Sequence, residues 1–404
     1  MILKETLKGI VKAQKEELSK IDYGTQREEL SNIKLNMPFA LVVSGIRRCG
    51  KSTLLRQVMK TTKNFYYFNF EDPRVANFEV EDFQKLNDIF SEEYGQSNNY
   101  FFDEIQNIHK WELFVRTMLD KNKHFMITGS NASLLSKELG TRLTGRHLNH
   151  ELFPFSYREF LLFTSKKAGT DSFGEYLENG GFPEYLLYKK SSILQELFND
   201  IIMRDIIVRY KLRSTKEIKD IALYLITNAG AEFSYNNLAK TFNLGSTNSA
   251  VAFVSYLEDS YLLFTISKFD YSLKKQAVNP KKVYSIDNGL SSAISISFSS
   301  NKVRMLENHV FLDLRRTGKE IYYFKGEKEC DFLIKEKNKI TAAIQVCYEL
   351  NEDNKEREVE GLIEALQKFD LSKGLILTYD QDDVLKLSGK TITIKPVWKW
   401  VLGD

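Results

Sequence analysis

The sequence predicts an α/β protein built in series: a parallel-sheet core first, a small helical module in the middle, and a second α/β region last. Three observations predict it. In MPFALVVSGIRRCGKSTLLRQVMK (37–60), an apolar strand, a glycine-bounded loop and an amphipathic helix follow one another. A second apolar strand, in NNYFFDEIQNIHKW (98–111), ends in paired carboxylates. Toward the C-terminus, GEKECDFLIKEKNKITAAIQVCYEL (326–350) reads as two strands about a charged turn. A chain of 404 residues implies two or three domains.

Composition excludes several classes. The chain is 43% hydrophobic and 27% charged, and its net charge of +3 does not by itself argue for nucleic acid. Cys49, Cys330 and Cys347 are isolated in sequence, so neither a zinc site nor a disulfide framework is indicated, and a reducing compartment fits. The opening MILKETLKGIVKAQKEEL is broken by charges and is not a signal peptide. No run reaches the ~18 apolar residues of a membrane helix. A cytoplasmic protein with no membrane partner is expected.

The first element carries the most chemistry. Leu41, Val42 and Val43 form a buried strand, and Leu54, Leu55, Val58 and Met59 line one side of the helix after the loop. Between them, Gly45-x4-Gly50-Lys51-Ser52 has the spacing of a phosphate-binding loop. Gly45 and Gly50 let the backbone turn. The N–H groups through Ile46, Arg47, Arg48 and Cys49 can then point inward at phosphate oxygens. The helix N-terminus adds partial positive charge. Lys51 supplies a point charge for the β- and γ-phosphates, Ser52 a hydroxyl for Mg²⁺, and Thr53 a further contact. The ligands expected are ATP or ADP with Mg²⁺, and the fold class is a P-loop NTPase.

Asp103 and Glu104 end a strand, which in a parallel sheet places them beside that loop. Asp103 is expected to hold Mg²⁺ through water, and Glu104 to orient or deprotonate the attacking water. A Glu after the Asp marks a hydrolase. NFYYFNFED (64–72) and KHFMITGSNASLL (123–135) supply two more strands. Two roles are open to Ser130 and Asn131: sensing the γ-phosphate or capping the next helix. Arg142 and Arg146 are four apart, so they share a face if helical. They are either surface residues or cations that reach a neighbouring subunit's γ-phosphate, with Arg146 the better placed. His147 and His150 read as strand residues rather than metal ligands.

SGIRRCGKSTLL, FFDEIQNI, ITGSNASLLS, TRLTGR and ELFPFSYREF occur in that order. Together they resemble the AAA+-like ATPases of bacteria and archaea that carry an uncharacterised C-terminal region, within the signal-transducing and archaeal-ATPase branch. The likeness continues through GGFPEYL (180–186), DIIMRDII (200–207), KVYSIDNGL (282–290) and LENHVFLDLRR (306–316). It implies a nucleotide-binding core, a winged-helix segment and a C-terminal region like the PD-(D/E)xK nucleases. The boundaries expected are 1–165 for the core, 166–213 for a helical linker or lid, 214–290 for the winged helix and 291–404 for the nuclease-like part.

The middle reads as helix-turn-helix independently of that likeness. IKDIALYLITNAG (218–230) is one helix. SYNNLAKTF (234–242) is a second, capped by Ser234. After the turn at Asn243-Leu244-Gly245, STNSAVAFVSYLEDSYLLF (246–264) is a third. Its stripe is Val251, Val254 and Leu257, with Ala250 and Phe253 beside them. LLFTISKF begins a wing. From Lys211 to Lys282 there are ten Lys or Arg against six Asp or Glu. Lys268, Lys274, Lys275, Lys281 and Lys282 suit phosphate contacts. The exposed face of the third helix, Ser246, Thr247, Asn248, Ser249 and Ser255, carries no cation. Backbone-dominated DNA binding is therefore expected rather than base readout, and subunit packing is the alternative use of this module.

In the last region Glu307 lies on LENHVFLDLRR and Asp331 on the strand before the charged turn. A PD-(D/E)xK nuclease adds Glu-x-Lys on the next strand, both side chains on one face. Here that pair is Gln345 and Cys347, with Val346 between them. Gln loses a charge from a hard-cation site, and Cys suits Mg²⁺ poorly. A degenerate, inactive site is expected at Glu307, Asp331, Gln345 and Cys347. The function expected is a Mg²⁺-dependent ATPase that forms a homo-oligomer and binds DNA through its C-terminal half. The alternatives are a nucleotide-dependent switch acting on protein partners and, less favoured, an active ATP-dependent nuclease.

Overall fold

The computed structural model describes residues 1–130, 143, 145–213, 215–295 and 302–403. The expected candidates Asn131 and Arg142 lie outside the described residues. The chain divides into two compact units, Met1–Phe153 and Pro154–Asp404. Among the described residues, no helix is long and apolar enough to cross a membrane.

The first unit opens with α1 (Lys4–Lys20), whose Leu7, Ile10, Val11 and Gln14 recur at helical spacing and are buried. Then come β1 (Ala40–Ser44), α2 (Lys51–Thr61), β2 (Tyr66–Asn69), α3 (Asp82–Tyr94), β3 (Asn99–Asp103), α4 (Trp111–Leu119), β4 (His124–Gly129) and β5 (His147–Glu151). The strands form one sheet in the order β2-β3-β4-β1-β5, with every pairing parallel. Val42, Phe68, Phe101, Phe102 and Ile127 are fully buried. A parallel sheet covered on both faces needs such continuous apolar runs. Aromatic rings fill one side; Phe70 meets Phe102 edge-on with centroids 5.3 Å apart. Because all five strands run the same way, the ends of β1, β3 and β4 share one edge of the sheet. That edge carries the phosphate loop and both carboxylates.

The second unit begins with α5 (Tyr157–Thr164), α6 (Thr170–Asn179), α7 (Pro183–Tyr188) and α8 (Ser191–Asp200). A π-helical run, Ile201–Val208, continues α8. The motifs GGFPEYL and KVYSIDNGL meet here. Asp287 caps α13 (Asn288–Ile294) by accepting from the Leu290 N–H at 2.8 Å, and it also accepts from the Gly181 N–H at 2.7 Å. A Cβ at Gly180 would strike the Asp287 carboxylate, and one at Gly181 the Phe155 carbonyl. These glycines are therefore explained by close packing. Burial pushes the Asp287 carboxyl up to about 6 despite three backbone donors.

Before α13, the middle segment comprises α9 (Thr215–Thr227), β6 (Glu232–Phe233), α10 (Tyr235–Thr241), α11 (Thr247–Asp259), β7 (Leu263–Ser267), α12 (Leu273–Val278) and β8 (Lys281–Ser285). Ser234 and Ser246 cap α10 and α11 by accepting from the N–H groups of Asn237 and Ser249. The strands form an antiparallel sheet in the order β6-β8-β7. Two expectations are corrected. Helix α11 stops at Asp259 rather than 264, because Tyr261 turns the chain into the left-handed region (φ 61°) and β7 follows. Val251 is exposed, and the buried stripe is Ala250, Phe253, Val254 and Leu257.

The last part holds α14 (Lys302–Arg316), β9 (Glu320–Lys325), β10 (Glu329–Glu336), β11 (Lys339–Val346), α15 (Glu352–Lys368), β12 (Lys373–Thr378), β13 (Asp383–Leu387), β14 (Lys390–Pro396) and α16 (Val397–Leu402). The sheet order is β13-β14-β12-β11-β10-β9. The β10–β11 hairpin has the expected charged turn, with Glu336 opposite Lys339, and its register shifts between Ile334 and Lys335. Lys337 in that turn takes positive φ (56°). β11 then pairs parallel with β12.

Candidate functional site

The loop between β1 and α2 is shaped by close approaches. Gly50 has φ 102°, and a Cβ there would meet Arg27 Nη1 at 2.7 Å. A Cβ at Gly45 would strike the Leu152 carbonyl. Ile46 and Cys49 turn their side chains into the core, Arg48 is exposed, and Arg47 sits 3.4 Å from Glu71. What remains on the loop's inner side is backbone. Lys51 is buried, and its ammonium donates to the Gly45 and Ile46 carbonyls at 3.0 and 3.1 Å. It lies 4.0 Å from Glu104 Oε1. Ser52 and Thr53 begin α2, half-buried.

Asp103 ends β3, buried, and takes hydrogen bonds from Thr128 and Ser52. Burial, and next the adjacent Glu104, push its carboxyl up to about 6 against those two donors and the Lys51 charge. Glu104 turns out of the strand with φ 53°. A non-glycine residue in that region costs about 1–3 kcal/mol, and such strain gathers at functional sites. Its N–H donates to Thr128 Oγ1 at 3.0 Å, and its carboxylate accepts from the Gln106 amide. Thr128 on β4 thus holds the Asp103 carboxylate and the Glu104 backbone at once. This set fits a nucleotide–Mg²⁺ complex: a loop lined by backbone donors, a lysine, a serine hydroxyl, and a buried carboxylate whose charge a divalent cation would stabilise.

Sequence reasoning placed the sensing residue at Ser130 or Asn131. The described contacts bring Thr128, two residues earlier, onto the Asp103 carboxylate and the Glu104 N–H, while Ser130 is buried. Thr128→Val keeps the shape and removes the hydroxyl. Hydrogen bonds to charged groups are worth about 1.5–3 kcal/mol, so turnover should fall roughly 10- to 100-fold. Nucleotide affinity should stay near wild type, and steady-state kinetics beside a titration check both.

Arg27 also escaped the sequence reading. It is 1% exposed. Its guanidinium donates to the Cys49 carbonyl at 2.7 Å and the Phe153 carbonyl at 2.8 Å. Its own N–H donates to Gln57 on α2 at 3.0 Å. The Gln57 amide in turn holds the carbonyls of Tyr23 and Thr25. The segment before β1 therefore braces the phosphate loop from behind.

Arg146 lies elsewhere. Its carbonyl accepts from the Ala40 N–H at 3.0 Å, at the start of β1, while the loop leaves the far end of that strand. Its guanidinium pairs with Asp120.

In the second unit, Glu307 on α14 and Asp331 on β10 come together with a lysine the sequence reading had assigned to the surface. Lys282, counted above among the phosphate contacts, is 2% exposed. Its ammonium reaches Glu307 Oε1 at 3.0 Å, Asp331 Oδ1 at 2.9 Å and Glu329 Oε1 at 2.7 Å. It was misread because a run of five lysines near a wing looks uniformly solvated, whereas strand alternation turns Lys282 inward. Gln345 accepts from the Asp331 N–H at 3.2 Å and donates to Glu358 at 2.6 Å. Cys347 lies beyond the end of β11 and packs in the apolar core. Burial, and then Glu358, push its thiol up to about 11. Among the described residues, no group of three His, Cys, Asp or Glu is arranged to hold a metal ion.

The strand–loop–helix, the parallel sheet and the carboxylate edge define the class, a P-loop ATPase type of domain, and residues 38–161 match the family described as AAA domain. Residues 170–301 match a domain of unknown function, DUF8612. The chain is 38% identical over 393 residues to the uncharacterized protein MJ1544 of Methanocaldococcus jannaschii, covering 89% of this chain and 88% of that one. It is 30% identical over 377 residues to an uncharacterized protein of Haemophilus influenzae, covering 86% and 91%. The chain belongs to the family of MJ1544. Among solved structures, the Walker-type ATPase PABY2304 of Pyrococcus abyssi is similar over 69% of this chain and 99% of its own. Identity there is 16% and the TM-score 0.44, so the class rests on the domain match and the loop geometry.

Proposed function

We propose that this protein is a Mg²⁺-dependent ATPase that couples hydrolysis to oligomer conformation and to DNA binding by its C-terminal half. The observation that carries the reading is the pairing of Lys51 with Glu104, whose Oε1 lies 4.0 Å from Nζ, at the edge where Asp103 and Thr128 also end. Lys51 binds the β- and γ-phosphates from within the loop. Ser52 and Asp103 hold Mg²⁺, which when bound neutralises charge on the phosphates. Glu104 accepts a proton from the attacking water. Thr128 fixes the Asp103 carboxylate and the Glu104 backbone, and Gln106 steadies the Glu104 carboxylate.

Arg146 stands one strand length, on the order of 16 Å, from its own phosphate loop. A role at the γ-phosphate is therefore open to it only in a neighbouring copy. Arg146→Ala should abolish the rise of turnover per subunit with protein concentration while leaving nucleotide affinity unchanged. A concentration series of phosphate release checks this; a rise equal to wild type would remove Arg146 from the site.

DNA binding is supported by the winged-helix reading of α9 to β8 and by Lys274 and Lys275, both exposed on α12. Tyr271, Leu273 and Val278, 79%, 79% and 74% exposed on the same excursion, favour the second reading, a nucleotide-dependent switch acting on a protein partner. ATPase assays with single-stranded, duplex and branched DNA, beside mass measurements with and without ATP, separate the two. Stimulation by a DNA form supports the first. Neither stimulation nor binding at low salt supports the switch.

A further inference from the structure

The buried lysine among the nuclease-like carboxylates has no counterpart in the proposed function. Lys282 belongs to β8, which pairs with β7 and β6 in the middle segment. Its three carboxylate partners belong to α14 and β10. An ammonium has three donors, and here it has three carboxylate acceptors at 2.7–3.0 Å. Glu329 is partly exposed and also meets Lys325 at 3.8 Å, whereas Glu307 and Asp331 are closed in on their other sides. The Tyr284 hydroxyl donates to Glu307 Oε1 at 2.8 Å, and the Val346 N–H donates to Asp331 Oδ2 at 2.9 Å. The Tyr323 ring lies 5.8 Å from the ammonium.

We infer that this carboxylate pocket is a cation site whose resident cation is the chain's own Lys282, and that it serves as a latch holding β8 to α14 and β10. Two observations support the latch over a metal centre. Lys282 is inaccessible, so it cannot meet a scissile phosphate. Gln345, at the position where a nuclease would supply a carboxylate, is spent on the Asp331 backbone and on Glu358. The second strand-sheet contact points the same way: Phe269, just beyond β7, donates its N–H to the Tyr323 carbonyl at 2.8 Å and packs on Tyr322 and Phe369. The wing strands and the six-stranded sheet are thereby joined at two places, so the wing is held as part of the sheet's body. This inference stands on the contacts and does not need DNA binding.

The test uses the full chain. Lys282→Met leaves the buried Glu307 and Asp331 without their cation, while Glu329 keeps Lys325 at 3.8 Å, and the melting temperature of the transition that contains β8 and β10 should fall by roughly 10 °C. Adding Glu307→Gln and Asp331→Asn to Lys282→Met should restore most of that loss, because neutral amides no longer need the ammonium. If the single variant does not fold, recovery of folded protein in the triple variant reads the same coupling. A triple variant no more stable than the single one overturns the latch. Hydrogen exchange gives a second readout: amides of β8 and β10 should lose protection together in Lys282→Met, and loss confined to β8 would overturn it. Mg²⁺- or Mn²⁺-dependent DNA cutting by the wild type, lost in Asp331→Ala, would overturn it as well. An ATPase that fails every DNA test leaves these melting results unchanged.

Discussion

Replacing Arg27 with Met is expected to lower stability by about 2–6 kcal/mol and to weaken nucleotide binding. The guanidinium satisfies the carbonyls of Cys49 and Phe153, and Met has no donor to offer them. A buried polar group left unsatisfied costs about 1–3 kcal/mol, and two are exposed to that loss. The Cys49 carbonyl belongs to the phosphate loop, so the damage is local to the nucleotide site as well as global. Arg27→Lys keeps the charge without the planar fork and should fall between Met and wild type. Urea unfolding with and without ATP checks this. A midpoint equal to wild type for Arg27→Met would mean that the loop is not braced from behind.

Glu104→Gln should bind ATP normally and hydrolyse it about 10²–10⁴-fold more slowly. The side chain keeps its shape and its neighbour Gln106, while the charge that faces Lys51 and accepts the proton is lost. Asp103 keeps its donors from Thr128 and Ser52. A loss in kcat without a loss in affinity is the signature of a group that acts in the transition state. Should affinity fall as well, Glu104 would be holding the nucleotide rather than activating water.

The elements that were legible are those whose signal is short-range. Gly45 through Thr53 sit within one turn and a loop, and strand-then-loop-then-helix is written in consecutive residues. Asp103 and Glu104 were legible because a parallel sheet brings strand ends together. Arg27 was not legible, since its acceptors are 22 and 126 residues away. Lys282 was not either: two of its three carboxylates, Glu307 and Asp331, are 25 and 49 residues away, and only the pairing of β8 decides which lysine of the run faces inward. Thr128 was passed over for a reason of register. The strand end was judged from Ser130 and Asn131, while the sheet aligns Thr128 with Val43 on β1 and sets its hydroxyl against Asp103. Val251 went astray similarly, because a stripe of three apolar residues at helical spacing does not say which side meets the core.

Phosphate release from saturating Mg²⁺·ATP, measured side by side for wild type and Glu104→Gln with ATP binding followed on the same samples, tests the central claim most directly. Release by the wild type is expected, with at least a hundredfold less by the variant, on the order expected for a lost general base, and equal binding by both. Equal release by the two proteins, or ATP bound with no release by the wild type at any protein or DNA concentration, would contradict that claim.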